Sequence, residues 1–162
     1  ETDLKILKTM EKFYLGMNKK PVVFERFISG YVANRLQSAM GLEITKLLDE
    51  GWASAKVIDN SIKYGLALRM ALTGSLMKAD FAGLELMQQG KANMTYDPPT
   101  PKRSSPVLDR LLASGRKGVM SGAGYFDYGD MTPTDLFRNR DLGLLRLKDQ
   151  VAQIEEEYPL GS

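Results

Sequence analysis

The stretch Lys20-Pro21-Val22-Val23-Phe24-Glu25, followed by Ser29-Gly30-Tyr31-Val32-Ala33-Asn34-Arg35-Leu36, reads as a buried strand that breaks at glycine and launches a long helix. Pro21 suits a strand start, where a missing N–H costs least, and Val22-Val23-Phe24 is β-branched and aromatic. Ser29-Gly30 punctuates the chain before helical periodicity begins, which puts an amide, Asn34, in the first turn of that helix.

Working outward, Leu4, Ile6, Leu7, Met10, Phe13 and Tyr14 recur at three- and four-residue steps, so an amphipathic helix precedes the strand and Gly16 can end it. A lone strand can neither pair its backbone groups nor cover both faces. Residues 1–28 are therefore expected to be the last helix and strand of a domain whose neighbouring strands lie elsewhere. The start at Glu1, which is not methionine, is expected for a processed or trimmed chain.

Downstream the pattern is almost wholly helical. Val32, Leu36, Met40, Ile44, Leu47 and Leu48 form an apolar face that runs to Gly51, a span of about 30 Å at the helical rise. A second stripe holds Asn34, Ser38, Gly41 and Thr45; it either lines a cleft or lets another helix approach closely. Ser54 is expected to cap a helix stopped by Gly65, and Ser75 one that runs through Leu76, Phe81, Leu84, Leu86 and Met87 to Gly90. Asp97-Pro98-Pro99-Thr100-Pro101-Lys102-Arg103-Ser104 is a stiff polar loop. Ser105 then caps a helix with Pro106 at its first position, and Thr132-Pro133-Thr134-Asp135 opens a terminal helix that reaches about Glu157. Leu160-Gly161-Ser162 is expected to fray.

Three segments in order carry a family resemblance. The first stretch resembles the K-P-V-x-V … G-F-x-x-N-R crossover of the 3-hydroxyacyl-CoA dehydrogenase family. Gly122-Ala123-Gly124-Tyr125-Phe126-Asp127-Tyr128 is similar to its G-x-G-F-Y-x-Y, and a looser match runs from Val57-Ile58-Asp59 through Lys63-Tyr64-Gly65 to Thr73-Gly74, Asp80 and Gly83-Leu84. Together they cover residues 19–130. The resemblance implies a mainly α fold, like the helical dimerisation domain that closes 3-hydroxyacyl-CoA and 6-phosphogluconate dehydrogenases, preceded by a helix-strand remnant of a Rossmann domain. On that reading residues 29–162 are the C-terminal substrate-binding and dimerisation domain of an NAD-dependent oxidoreductase that turns a 3-hydroxy group into a ketone.

The resemblance also implies that Asn34 belongs to the catalytic site, NAD is bound mainly by a missing N-terminal Rossmann domain, the substrate is an acyl-CoA and the chain forms a homodimer. An amide at that position can hold a substrate oxygen and orient a base. The residues alone also allow Asn34 to be a helix cap and Arg35 an ion-pair or cap partner. The family's cofactor-approaching lysine is replaced by Met120, so no cofactor-binding residue carries over. Leu66-Ala67-Leu68-Arg69 and Ser75 depart from the family's glycine and proline, which leaves room for a non-CoA alcohol: a hydroxy acid, a sugar acid or a ring hydroxymethyl group. A non-catalytic helical dimerisation module is the alternative from another class.

Composition bounds these readings. The chain has 162 residues, no histidine and no cysteine. Imidazole acid–base chemistry, a thiolate nucleophile and a Cys/His metal site are thus unavailable to it by itself, and no metal ligand set is expected. The family's His–Glu pair would lie in the missing domain, and this segment alone is expected to be inactive. Its 22 basic and 20 acidic residues are well mixed, which argues against a nucleic-acid surface. No apolar run approaches the length of a membrane span and no signal segment is visible, so a cytoplasmic setting, or an organelle matrix, without membrane association is expected. Lys102-Arg103 can meet a phosphate or simply be solvated. The glycines between Gly115 and Gly124 follow a helix instead of opening one, so they do not read as a phosphate cradle. Tyr125, Phe126 and Tyr128 are expected to pack that loop onto the helices.

Overall fold

The computed structural model describes residues 3–24, 26–94 and 96–160 and is mainly α-helical. Glu1, Glu25 and the Gly161-Ser162 tail, on which parts of the sequence reading fall, lie outside the described residues. The chain divides into two compact units between Ala39 and Met40.

In the first unit, α1 spans Leu4–Gly16, as its apolar periodicity predicts, and the Asp3 carboxylate caps it by accepting from the Lys5 N–H at 2.7 Å. The expected strand is not formed: residues 19–24 have no regular hydrogen-bonding partner strand, and Val22 and Val23 are exposed. Strand propensity alone does not make a strand, because its backbone groups must pair with a neighbour, and the described residues offer none. Beyond it, α2 runs from Tyr31 to Asp49, so that the residues from Met40 onward count with the second unit, and Gly51, at φ +71°, follows its end. Val32, Leu36 and Met40 on the predicted apolar face remain exposed.

In the second unit, α3 (Ala55–Asn60) starts where Ser54 accepts from the Val57 N–H at 3.3 Å. Gly65 does not stop it. The chain passes through a π-helical segment, Ser61–Ala67, and on into α4, Leu68–Thr73. A glycine inside a helix costs only about 1 kcal/mol, less than breaking a continuous helix whose flanks pack. The Leu66–Arg69 stretch is therefore helical, with the Arg69 Nε donating to the Gly65 carbonyl at 3.0 Å. The real break comes at Gly74, φ +62°.

The Ser75 expectation also needs correcting. Its side chain makes no capping bond, α5 covers only Leu76–Ala82, and Gly83 at φ +89° separates it from α6, Leu84–Ala92. Gly90 lies inside α6. At Gly83 the positive φ interrupts the helix, whereas Gly90 has no such geometry. The remaining starts follow the sequence: α7 (Pro106–Ala113) is capped by Ser105, and α8 (Pro133–Glu157) by Thr132, whose hydroxyl accepts from the Asp135 N–H at 3.1 Å. Within this unit α4 packs on the π segment, α5 and α8, and α8 also meets a 3₁₀ turn at Val119–Ser121. Ile58 and Ser105 are buried, as is Gly124, while large apolar side chains stay exposed along α4, α5, α6 and α8.

Candidate functional site

The start of α2 is built by an unusual backbone path. Gly30 has φ +79° and Tyr31 has φ +48°, two successive left-handed residues, and the Tyr31 N–H donates to the Ile28 carbonyl at 3.0 Å. The Tyr31 ring lies 5.9 Å from that of Phe24 and 6.3 Å from that of Phe27, the latter edge-on. Asn34 is the fourth residue of the helix and is exposed. It is not the cap that the residues alone allowed: it sits inside the helix, and its amide makes no hydrogen bond among the described residues. Nor does Arg35 form an ion pair with a described residue; its Cγ lies 3.7 Å from where a Cβ on Gly30 would be. The first turn of α2 thus presents an amide that can donate and accept at once.

Farther along α2 the small-residue stripe changes character. The Thr45 hydroxyl donates to the Gly41 carbonyl at 2.9 Å, and a Cβ on Gly41 would meet nothing within 4 Å. Close helix approach is therefore not the use of Gly41 among the described residues. Thr45, Lys46 and Asp49 instead line an open groove of about 480 Å³ whose other wall is the proline-rich loop and the start of α7. Lys102 and Arg103 reach this groove, but so do the carboxylates of Asp49, Glu50, Asp97 and Asp109, which oppose binding of an anion there.

The loop is tied to α2 at two points with no signal in the local sequence. Tyr96 Oη donates to Glu43 at 2.8 Å, and that carboxylate raises the phenol above its ordinary pKa. Asp49 accepts from the Ser105 hydroxyl at 2.6 Å and from the Val107 N–H at 3.1 Å. The Ser105 hydrogen bond, aided by the Val107 N–H and by Lys102 and Arg110, holds the Asp49 carboxyl below its ordinary value against a smaller desolvation effect.

The glycine-rich loop after α7 is closed on itself. Arg116 Nε donates to the Gly124 carbonyl at 2.8 Å, and Ser121 accepts from the Lys117 N–H at 2.9 Å. Gly124 passes so close to Gly118 that a Cβ would stand 3.0 Å from the Gly118 Cα. The N–H groups are used inside the loop and do not open toward a helix start, so the described residues do not form a dinucleotide cradle. Met120 is exposed at the 3₁₀ turn; Phe126 and Tyr128 are half-buried, and Tyr125 is exposed. Among the described residues no group of three or more His, Cys, Asp or Glu side chains is placed to hold a metal ion, and no helix is long and apolar enough to cross a membrane.

The described residues thus form a mainly helical chain whose long helix opens after a glycine at positive φ and carries an exposed asparagine in its first turn. The C-terminal domain family of 3-hydroxyacyl-CoA dehydrogenase matches residues 30–128, and the chain belongs to that family. It is 31% identical over 140 residues to L-carnitine dehydrogenase of Streptomyces griseus subsp. griseus, a match covering 83% of this chain and 40% of that protein. It is 32% identical over 135 residues to a probable 3-hydroxybutyryl-CoA dehydrogenase of Deinococcus radiodurans, covering 79% of this chain and 44% of the relative. The solved structure of 5-formyl-3-hydroxy-2-methylpyridine 4-carboxylic acid 5-dehydrogenase, described as an NAD+-dependent dismutase, shares the fold with a TM-score of 0.81 at 21% identity, over 93% of this chain and 49% of that one. The chain thus spans less than half the length of these relatives. The family consists of oxidoreductases acting on CH–OH groups.

Proposed function

We propose that residues 29–162 are the substrate-binding and dimerisation domain of an NAD-dependent dehydrogenase that oxidises a 3-hydroxy group to a ketone, and that residues 1–28 belong to its nucleotide-binding domain. In this reading the Asn34 amide holds the substrate oxygen and orients a base supplied by the other domain, where NAD+ accepts the hydride. The observation that carries it is the exposed, uncommitted Asn34 amide one turn into α2, in the G-Y-V-A-N-R sequence. The absence of histidine makes this chain dependent on that other domain for the base. The exposed apolar faces of the helices support a covered role in a larger assembly, here the nucleotide domain and a second copy of the chain.

The substrate is a 3-hydroxyacyl-CoA or a non-CoA alcohol. The second is supported by a relative named for L-carnitine, the first by one named for 3-hydroxybutyryl-CoA. The deciding experiment is NAD+-dependent oxidation of 3-hydroxybutyryl-CoA and of L-carnitine by the full-length product of the reading frame, with and without Asn34→Ala. Turnover of one of them that falls about 100-fold on substitution supports the reading; a full-length product with no dinucleotide domain and no turnover overturns it in favour of a non-catalytic dimerisation module. Localisation to the cytoplasm is part of the proposal and is checked by fractionation.

A further inference from the structure

We propose that Tyr31 is a positioning residue for the Asn34 amide, holding the first turn of α2 through its strained backbone and its clasp between Phe24 and Phe27; this rests on the catalytic reading of Asn34 above. A bulky residue at φ +48° is a genuine outlier, and such strain persists only where the surroundings over-determine it. Here the surroundings are specific: glycine at φ +79° immediately before it, a turn bond from its N–H to Ile28, and two aromatic rings within 6.3 Å. Tyr31 and Asn34 are three residues apart, almost one helical turn, so they lie on neighbouring positions of the same turn. A change in the path by which the chain enters the helix re-aims the amide directly. The Arg35 stem also passes near Gly30, its Cγ 3.7 Å from where a Cβ there would stand.

Phe27 is 84% exposed, so its contact with Tyr31 is not part of a buried core, and removing it leaves few other contacts to lose. What the clasp does is set one helix start.

The test is a double-substitution cycle on kcat in the full-length enzyme, using whichever of 3-hydroxybutyryl-CoA or L-carnitine it oxidises. Tyr31→Ala is expected to lower kcat by about 10- to 100-fold with KM little changed, Tyr31→Phe to keep near-normal turnover, and Phe27→Ala, at an exposed position that leaves folding intact, to lower kcat in the same sense. In the Asn34→Ala background both losses should vanish, because the group being positioned is gone. Losses that remain fully additive to Asn34→Ala, or a silent Phe27→Ala together with a silent Tyr31→Ala, overturn the positioning role while leaving the dehydrogenase reading intact. A silent Asn34→Ala overturns the positioning role together with the catalytic reading of Asn34, while turnover itself keeps the dehydrogenase reading.

Discussion

The Asp49 carboxylate, at the last residue of α2, accepts a 2.6 Å hydrogen bond from the Ser105 hydroxyl, which in turn accepts from the Leu108 N–H and caps α7. One carboxylate thus closes a helix start that lies 56 residues away in the chain, and it does so at one of the few buried side chains of the second unit.

Ser105→Ala removes both bonds at once and leaves the Asp49 carboxylate with the Val107 N–H alone. The expected loss is about 1 kcal/mol, typical of a helix cap, read as a lower urea midpoint at unchanged slope. An unchanged midpoint would show that the cap contributes nothing to stability.

Acid titration should expose the same link. Because the folded Asp49 carboxyl lies below its ordinary value of 3.8, its contribution is complete above that value and is lost as pH falls through the lowered folded one. Urea midpoints measured from pH 6 downward should therefore fall more steeply for the wild type than for Asp49→Asn, which has no carboxyl to protonate.

Tyr96 behaves in the opposite sense. Its hydroxyl donates to Glu43, so the neutral phenol is the favoured form and its pKa is raised above 10.0; the tie holds below that value and is lost as pH rises through the raised one. Alkaline ultraviolet titration should show a late phenolate component that disappears in Tyr96→Phe and moves to lower pH in Glu43→Gln.

Two glycines should respond oppositely to alanine. At Gly124 a Cβ would meet backbone atoms of Gly118 at 3.0 and 3.3 Å, so Gly124→Ala should cost about 1–3 kcal/mol. At Gly65, inside the π-helical segment with open space around it and no positive φ, alanine should stabilise by about 0.5–1 kcal/mol. Thermal melts of the two variants settle the comparison.

Much of this was readable in the chain itself. Helix starts at Ser54, Ser105 and Thr132 are written locally, since each hydroxyl accepts the N–H three residues on, a proline without an N–H follows Ser105 and Thr132, and an acidic third residue follows Thr132. The order of the crossover, the long helix and the glycine-rich loop identified the family for the same reason: short-range motifs survive in sequence. The absence of histidine and cysteine likewise set, without any structure, which chemistry this chain cannot supply by itself.

Tertiary structure decided the rest. Whether Gly65, Gly83 or Gly90 ends a helix depends on the backbone path that its neighbours impose, and only Gly83 takes a positive φ. Val22-Val23-Phe24 has strand chemistry but, among the described residues, no strand to pair with, so propensity went unused. The Asp49–Ser105 link joins residues with no periodic relation in sequence, and the left-handed Tyr31 beside Phe24 and Phe27 shows only in three dimensions. Local hydrogen bonding is encoded within a turn of chain, whereas partners across 50 residues are selected by packing; for that reason the sequence determined the capped helix starts and the family, and only the fold determined where helices end and how Asn34 is presented.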